Sequence, residues 1–242
     1  MQLLNGLVVE NETLAPQPSK RLSFFFYNKV SVTALVLIMI LATVLIPGFG
    51  ALIPVLITLA ALLCCLKEGS NKLLGLTRPE SLRKTLLIGA VGGIGLQMAF
   101  NILVDPLFEL IAGSPLDLSN VDNVKGNVLI YVVWLAIGWV IGGFLEELSF
   151  RGYLITRIRF LLGRNFVGTS VAVLASIVPF GIAHVYQGWA GVLSAAVMGL
   201  CFAVFFIRSN YNLWLPILVH GFANTTDLTL IYLGVQQTFR LF

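Results

Sequence analysis

Charged residues are scarce in this 242-residue chain, and their scarcity limits what kind of protein it can be. Asp, Glu, Lys and Arg make up 11% of the sequence while 58% is hydrophobic, whereas soluble globular domains carry about 25% charged residues. Apolar runs close to the roughly 20 residues that cross a bilayer recur after residue 29. The composition predicts an integral membrane protein surrounded by a lipid bilayer, and it excludes a soluble protein that binds nucleic acid.

Several features that would point to other classes of protein are missing. The cysteines, Cys64, Cys65 and Cys201, all lie in apolar runs, so the sequence predicts no extracellular disulfide framework. The first residues lack the charged start, short apolar stretch and small-residue cleavage site of a secretory signal peptide. No internal repeat or low-complexity tract is visible, which disfavours a transporter built from repeated halves.

Seven apolar runs are candidate membrane spans, with eight as the alternative count. They cover residues 30–47, 51–66, 85–112, 128–145 with a helical continuation, 166–184, 190–207 and 213–233. The predicted fold class is therefore all-α, a polytopic transmembrane helical bundle with interfacial helices, one of them at 73–84. Residues 1–29 are predicted to form a cytoplasmic or interfacial tail, and residues 30–242 a single transmembrane domain.

The Lys and Arg residues are unevenly distributed between the predicted loops. If alternate loops lie on opposite sides of the membrane, one side receives only Lys125 and Arg240, and the other side receives every other basic residue. Cytoplasmic loops are enriched in Lys and Arg. The distribution predicts a multi-pass protein of the plasma membrane with a cytoplasmic N-terminus and an external loop at 114–126.

Polar residues interrupt the later apolar runs, where an ionisable side chain costs from about 2.5 to over 10 kcal/mol. They form three groups in chain order: Glu146, Glu147 and Arg151, then Phe180 and His184, then His220 and Asn224. On a helix Glu147 and Arg151 are four residues apart and can pair, which leaves Glu146 free on another face. Each group alone also fits a structural role, either a solvated helix end or a hydrogen bond between helices.

Taken together, the three groups indicate a hydrolytic site. The two histidines of the chain both lie in apolar runs, and side chains from facing helices build the sites of helical bundles. A carboxylate and an imidazole can hold and deprotonate a water, directly or through a metal ion. An amide and a second imidazole can donate hydrogen bonds to an oxyanion.

At these residues the sequence resembles the CAAX protease and bacteriocin-processing family of intramembrane peptidases, also called the Abi family. The family motifs Glu-Glu-x-x-x-Arg, Phe-x-x-x-His and His-x-x-x-Asn occur here in that order, and the resemblance covers residues 128–233. It implies an endopeptidase that cuts a peptide or protein substrate at the membrane, either a CAAX-type substrate or a bacteriocin-like peptide. The sequence identifies neither the substrate nor the oligomeric state.

The resemblance also implies a role for each motif residue. Glu146 would be the general base, and His184 would hold the attacking water. His220 and Asn224 would stabilise the oxyanion, while Glu147, Arg151 and Phe180 would support the site. Glu146, His184 and His220 match the ligand count of a catalytic zinc site, but the same groups can serve without metal, so both forms stay open.

Two other functions compete with a peptidase. A non-catalytic immunity or peptide-binding protein would keep the same fold and capture a peptide in its cavity. A transporter would use Glu146, Glu147 and the histidines to relay protons or bind a cation. Replacing Glu146 by Gln separates catalysis from binding, and flux into proteoliposomes would identify a transporter.

The helix boundaries decide whether the site can form at all. If the fourth run ended at Leu145 and the fifth began at Phe166, a rise of 1.5 Å per residue would place Glu146 and His184 at opposite faces. The site therefore requires the fourth helix to continue through Glu146. We also expect the fifth helix to begin later and to run past His184 towards Trp189.

Overall fold

The structure is a computed structural model that describes residues 18–46, 48 and 50–241, and every regular element in these residues is helical. Residues 1–17 of the predicted tail lie outside the described residues. The main helices are α1 (Lys20–Tyr27), α2 (Lys29–Leu45), α3 (Leu52–Lys67), α4 (Leu82–Ala112), α5 (Val128–Leu162), α6 (Phe166–Ile182), α7 (Gly188–Arg208) and α8 (Trp214–Leu233). The all-helical fold class is confirmed.

Each of the seven predicted apolar runs corresponds to one helix from α2 to α8. By length and hydropathy, three helices could cross a membrane: α4, α5 and the segment Val185–Arg208 that contains α7. The pair α1 and α2, bent by 58°, would be a fourth, and α3 and α6 are apolar but shorter. These helices make the chain an integral membrane protein, whereas the count of seven spans is not confirmed.

The two halves of α5 have opposite environments. None of the residues of Val128–Ile137 is buried, whereas every residue of Leu148–Ile155 is buried. The first half is apolar all round and suits lipid contact, while the second half carries polar side chains that lipid cannot satisfy. The second half packs against α3 and α6 and forms the centre of the molecule.

The antiparallel helices α5 and α6 determine the depth of Glu146 and His184 in the bundle. The predicted continuation of the fourth run is confirmed, since α5 passes through Glu146, close to its midpoint, and ends at Leu162. The expected late start of the fifth helix is wrong, because α6 spans Phe166–Ile182 and ends before His184. Glu146 and His184 lie at similar distances along the chain from the turn at 163–165, so the antiparallel hairpin places them opposite each other.

The segment between α3 and α4 does not form the predicted interfacial helix at 73–84. It contains a single 3₁₀ turn, Asn71–Leu74, which ends at Gly75 with a φ of 77°. Residues 75–81 are not helical, and α4 begins at Leu82, where the side chain of Ser81 accepts a hydrogen bond from the Lys84 amide. The prediction failed because Gly75 and Pro79 both interrupt a helix.

The packing of α4 against α8 depends on small residues. A Cβ atom added at Gly93 would meet the Val219 carbonyl oxygen and would lie 2.6 Å from Cβ of Phe222, and one added at Gly89 would press on Leu218. Glycines spaced four residues apart allow two helix backbones to approach closely in a membrane. This contact fixes the position of α8, which carries His220 and Asn224.

Candidate active site

Side chains from three helices meet at one cavity of about 250 Å³, here called the main cavity. Its wall includes Glu146 from α5, His184 just beyond the end of α6, and His220 and Asn224 from α8. His220 is buried and the other three are partly buried. The structure therefore brings together the four residues to which the sequence analysis gave catalytic roles.

The two adjacent glutamates of α5 have different partners. Oε1 of Glu147 accepts hydrogen bonds from Arg151 and His220, whereas Glu146 forms no ion pair within the described residues. Glu146 faces the main cavity instead. Its carboxylate is therefore available to accept a hydrogen bond from a water or a substrate there.

The hydrogen bond of His184 determines which of its nitrogens carries the proton. Nδ1 lies 2.8 Å from the carbonyl oxygen of Phe180. A carbonyl oxygen can only accept, so Nδ1 carries the proton and the Nε2 atom of the neutral ring keeps its lone pair. The ring also packs on Phe180, with 5.0 Å between the ring centroids. His184 can therefore accept a hydrogen bond from a water through Nε2.

Glu147 and Arg151 form a fully buried ion pair beneath the site. Their side chains are 0% exposed, and Nη1 of Arg151 lies 3.0 Å from Oε1 of Glu147. Nη2 of Arg151 donates to the Gly199 carbonyl oxygen at 2.8 Å, and the guanidinium lies 4.4 Å from the centre of the Phe180 ring. These contacts connect α5, α6 and α7. They also fix the position of Oε1 of Glu147, the oxygen that His220 contacts.

His220 and Asn224 are both held in position by neighbouring groups. Nδ1 of His220 lies 2.9 Å from Oε1 of Glu147, and its ring stacks on Phe202 with centroids 4.3 Å apart. Nδ2 of Asn224 donates to the carbonyl oxygen of Gly138 at 2.9 Å. An amide nitrogen has two hydrogens, so one N–H of Asn224 is left for a further acceptor.

A glycine four residues before Glu146 makes room for these two side chains. A Cβ atom added at Gly142 would lie 2.5 Å from Nδ2 of Asn224 and 3.2 Å from Nε2 of His220. Nε2 of His220 and Nδ2 of Asn224 therefore converge on the surface of α5 next to Glu146. The stretch Gly138–Glu146 is π-helical, a conformation that occurs often at functional sites.

The sequence analysis missed several residues of this region. Gly142 and Phe202 carry no charge, and nothing in the sequence distinguishes them from other small and aromatic residues of the spans. Asp105 and Asp227 could have been found, because both are acidic residues inside apolar runs and the cost of burying a charge in lipid applies to them as well.

Glu146, His184 and His220 line the main cavity and carry atoms of the kinds that bind zinc. Within the described residues, no group of three or more His, Cys, Asp or Glu side chains is placed to hold a metal ion.

Comparison with known proteins supports the resemblance seen in the sequence. Residues 128–226 match the family model described as "Type II CAAX prenyl endopeptidase Rce1-like". The matched segment contains all three motifs, and the resemblance to the CAAX protease and bacteriocin-processing family is confirmed. The match implies protease activity in general terms. No curated protein and no solved structure matches the chain.

Proposed function

We propose that this protein is an intramembrane endopeptidase that hydrolyses a peptide bond near the membrane surface, with Glu146 as the general base. The observation that carries the proposal is the different environment of the two glutamates. Glu147 is occupied by Arg151 and His220, whereas Glu146 faces a cavity that it shares with both imidazoles and Asn224. The family match over residues 128–226 supports the same reaction type.

The proposed reaction begins with a water between Glu146 and His184. The water donates one hydrogen bond to the Glu146 carboxylate and one to Nε2 of His184. As its oxygen attacks the carbonyl carbon of the substrate, a proton passes to Glu146. When the tetrahedral intermediate collapses and the C–N bond breaks, that proton moves from Glu146 to the leaving nitrogen.

In the proposed mechanism, Asn224 and His220 stabilise the oxyanion of the intermediate. The free N–H of Asn224 can donate directly, since its other hydrogen is bound to Gly138. Nδ1 of His220 donates to Glu147, so Nε2 can donate only when the ring is protonated. Removing one oxyanion donor typically costs about 100- to 1,000-fold in rate.

We further propose that this chemistry proceeds without a metal ion, because the described residues form no metal-holding group. The substrate is either a CAAX-type protein or a processed peptide. For the fold, we propose seven spans in a single domain of the plasma membrane with a cytoplasmic N-terminus, from the charge distribution of the sequence.

The proposal is tested by incubating purified protein with membrane peptides, prenylated and unprenylated, and identifying the products by mass spectrometry. Glu146→Gln keeps the shape of the side chain but removes the base, so cleavage should fall by at least about 100-fold. Glu80→Gln, at an exposed carboxylate outside the cavity, is the matched control and should cleave normally. A chelator should have no effect.

The same experiment distinguishes the other functions. A protein that binds these peptides without cutting them, and whose Glu146→Gln variant keeps the cellular phenotype, would be a binding or immunity protein. Loss of cleavage on chelation, restored by zinc, would contradict the metal-free mechanism but not the peptidase function. Ion flux into proteoliposomes that depends on Glu146 would indicate a transporter.

A further inference from the structure

A second cavity of about 130 Å³ lies beside the main cavity, and we call it the acidic recess. The two cavities share His184, His220 and Asn224 as wall residues. The recess then extends between α4, α7 and α8 to the carboxylates of Asp105 and Asp227. A substrate bound for hydrolysis in the main cavity would therefore lie next to two acidic side chains.

Only one of the two carboxylate oxygens of Asp105 accepts a hydrogen bond in the described residues. Its side chain is only 7% exposed, and Oδ1 accepts a hydrogen bond from Ser194. In the part of the chain that the structure describes, no donor reaches Oδ2. The residue lines the recess, so this oxygen is left for a group that enters it. A carboxylate oxygen that lines a cavity and accepts no other hydrogen bond can accept one from a ligand that enters the cavity.

Asp227 lies one helical turn beyond Asn224 and lines both cavities. Oδ1 accepts a hydrogen bond from Gln236 at 3.1 Å. Among the described residues neither Asp227 nor Asp105 forms an ion pair. Arg240 also lines the recess, but its Nη1 donates to Glu109. The recess thus contains two carboxylates that form no ion pair among the described residues, and the guanidinium of Arg240 is the basic group in the same wall.

We infer that the acidic recess is a subsite for a cationic group of the substrate, an ammonium or a guanidinium, held by Asp105 and Asp227. The inference rests on the proposed function, because it identifies which peptide the site would select. An ammonium or guanidinium group has several N–H donors and can therefore bond to both carboxylates at once. Basic groups pair with buried carboxylates through hydrogen bonds about twice as strong as neutral ones.

The position of Asp227 sets where the cation lies in the substrate. One helical turn advances about 5.4 Å, and one extended peptide residue spans about 3.3–3.6 Å. A cation at Asp227 therefore lies within one or two residues of the carbonyl group that Asn224 binds. The cation is either a Lys or Arg side chain or the free α-amino group of a short peptide, and both present the same charge.

The experiment compares matched peptides with the wild-type protein. One peptide series carries Lys at each position around the cleaved bond, and the second carries norleucine, which keeps the chain length but has no charge. We expect at least about tenfold higher kcat/KM for a Lys peptide with the charge within two residues of the cut. Free and acetylated N-termini in both series distinguish the α-amino group from the side chain.

Variants of the two aspartates test whether the acidic recess causes the preference for Lys peptides. In Asp227→Asn and in Asp105→Asn the ratio of kcat/KM between the Lys and norleucine peptides should fall to about one. Asp122→Asn, at an exposed carboxylate of the loop before α5, is the control and should keep the wild-type ratio. Equal rates for the two peptides in the wild type, or a preference that survives in both recess variants, would overturn the inference.

A binding measurement distinguishes failure of the cationic subsite from failure of the proposed peptidase function. The Glu146→Gln protein should bind a fluorescent Lys peptide at least about tenfold more tightly than its norleucine counterpart, since no hydrolysis is needed. If the wild type cleaves nothing but this difference in affinity is present, the peptidase proposal fails and the cationic subsite stands. If cleavage depends on Glu146 but neither affinity nor rate depends on the charge, the subsite fails and the peptidase stands.

Discussion

At the scale of single residues, the buried ion pair of Glu147 and Arg151 is the most sensitive point of the structure. Removing one partner of a buried pair leaves an uncompensated charge and costs about 3–5 kcal/mol. We therefore expect Arg151→Met to lower the unfolding temperature of the purified protein strongly, measured by thermal unfolding in detergent. Arg164→Met, at an exposed arginine of the hairpin turn, should unfold like the wild type. Equal temperatures for the two variants would contradict a stabilising role for the pair.

A substitution at Gly142 can distinguish an effect on the proposed catalysis from an effect on the stability of the fold. A methyl group at this position would press on Nδ2 of Asn224 and approach Nε2 of His220 to 3.2 Å. A displacement of catalytic groups by about 1 Å can cost 100-fold in rate. Since Ala favours a helix over Gly by up to about 1 kcal/mol, Gly142→Ala should lose most of its peptide cleavage and still unfold near the wild-type temperature.

The control for Gly142 is a glycine on the surface of α4. A Cβ atom at Gly95 would have nothing within 4 Å. Gly95→Ala should therefore cleave peptides at the wild-type rate. Full activity of Gly142→Ala would show that His220 and Asn224 do not act where the structure places them.

The sequence predicted the polar residues of the site better than the residues around them. An ionisable group in an apolar run is conspicuous because lipid cannot solvate it, and this argument identified Glu146, His184 and His220. It also distinguished the paired Glu147 from the free Glu146 through helical spacing, and the structure has this pairing. The contacts that hold His220, namely Phe202 and the space at Gly142, depend on tertiary packing and leave no local pattern in the sequence.

At the scale of helices, the contact of α4 with α8 determines where His220 and Asn224 of α8 lie. Gly93→Ala would place a methyl group against the Val219 carbonyl oxygen and Phe222, so the two helices would have to separate. Overpacking of this kind costs about 1–3 kcal/mol. We expect a lower unfolding temperature together with reduced cleavage, because α8 carries both His220 and Asn224. An unchanged unfolding temperature would contradict the close packing.

The extent of each helix was harder to predict than its existence. Each apolar run became one helix, because hydrophobic runs of this length are the strongest signal in a membrane protein. The end of the fifth helix was misplaced, since the sequence alone does not show that α5 extends to Leu162 and moves the hairpin turn away from Glu146. Helix length fixes the depth of a side chain, so this boundary decides whether His184 can meet Glu146.

At the scale of the whole molecule, most basic residues and the main cavity lie towards opposite ends of the bundle. The hairpin turn at 163–165 follows the basic end of α5, and the site lies about one helix length away beyond Ile182. The loop before α5 contributes Val121 to the main cavity, and Leu116 and Leu118 to the acidic recess. If the basic end is cytoplasmic, both cavities lie on the side of the external loop and their substrate arrives from there.

Cysteine labelling in intact cells tests this orientation. The native cysteines, Cys64, Cys65 and Cys201, are first replaced by Ala, and single cysteines are then introduced at exposed positions by Asp122→Cys, Arg164→Cys or Gln237→Cys. A membrane-impermeant maleimide should label the variants at 122 and 237 in intact cells, because an odd number of spans places the C-terminus outside. The variant at 164 should be labelled only after permeabilisation. Labelling of 164 in intact cells would reverse the orientation, and protection of 237 together with labelling of 122 would indicate an even number of spans.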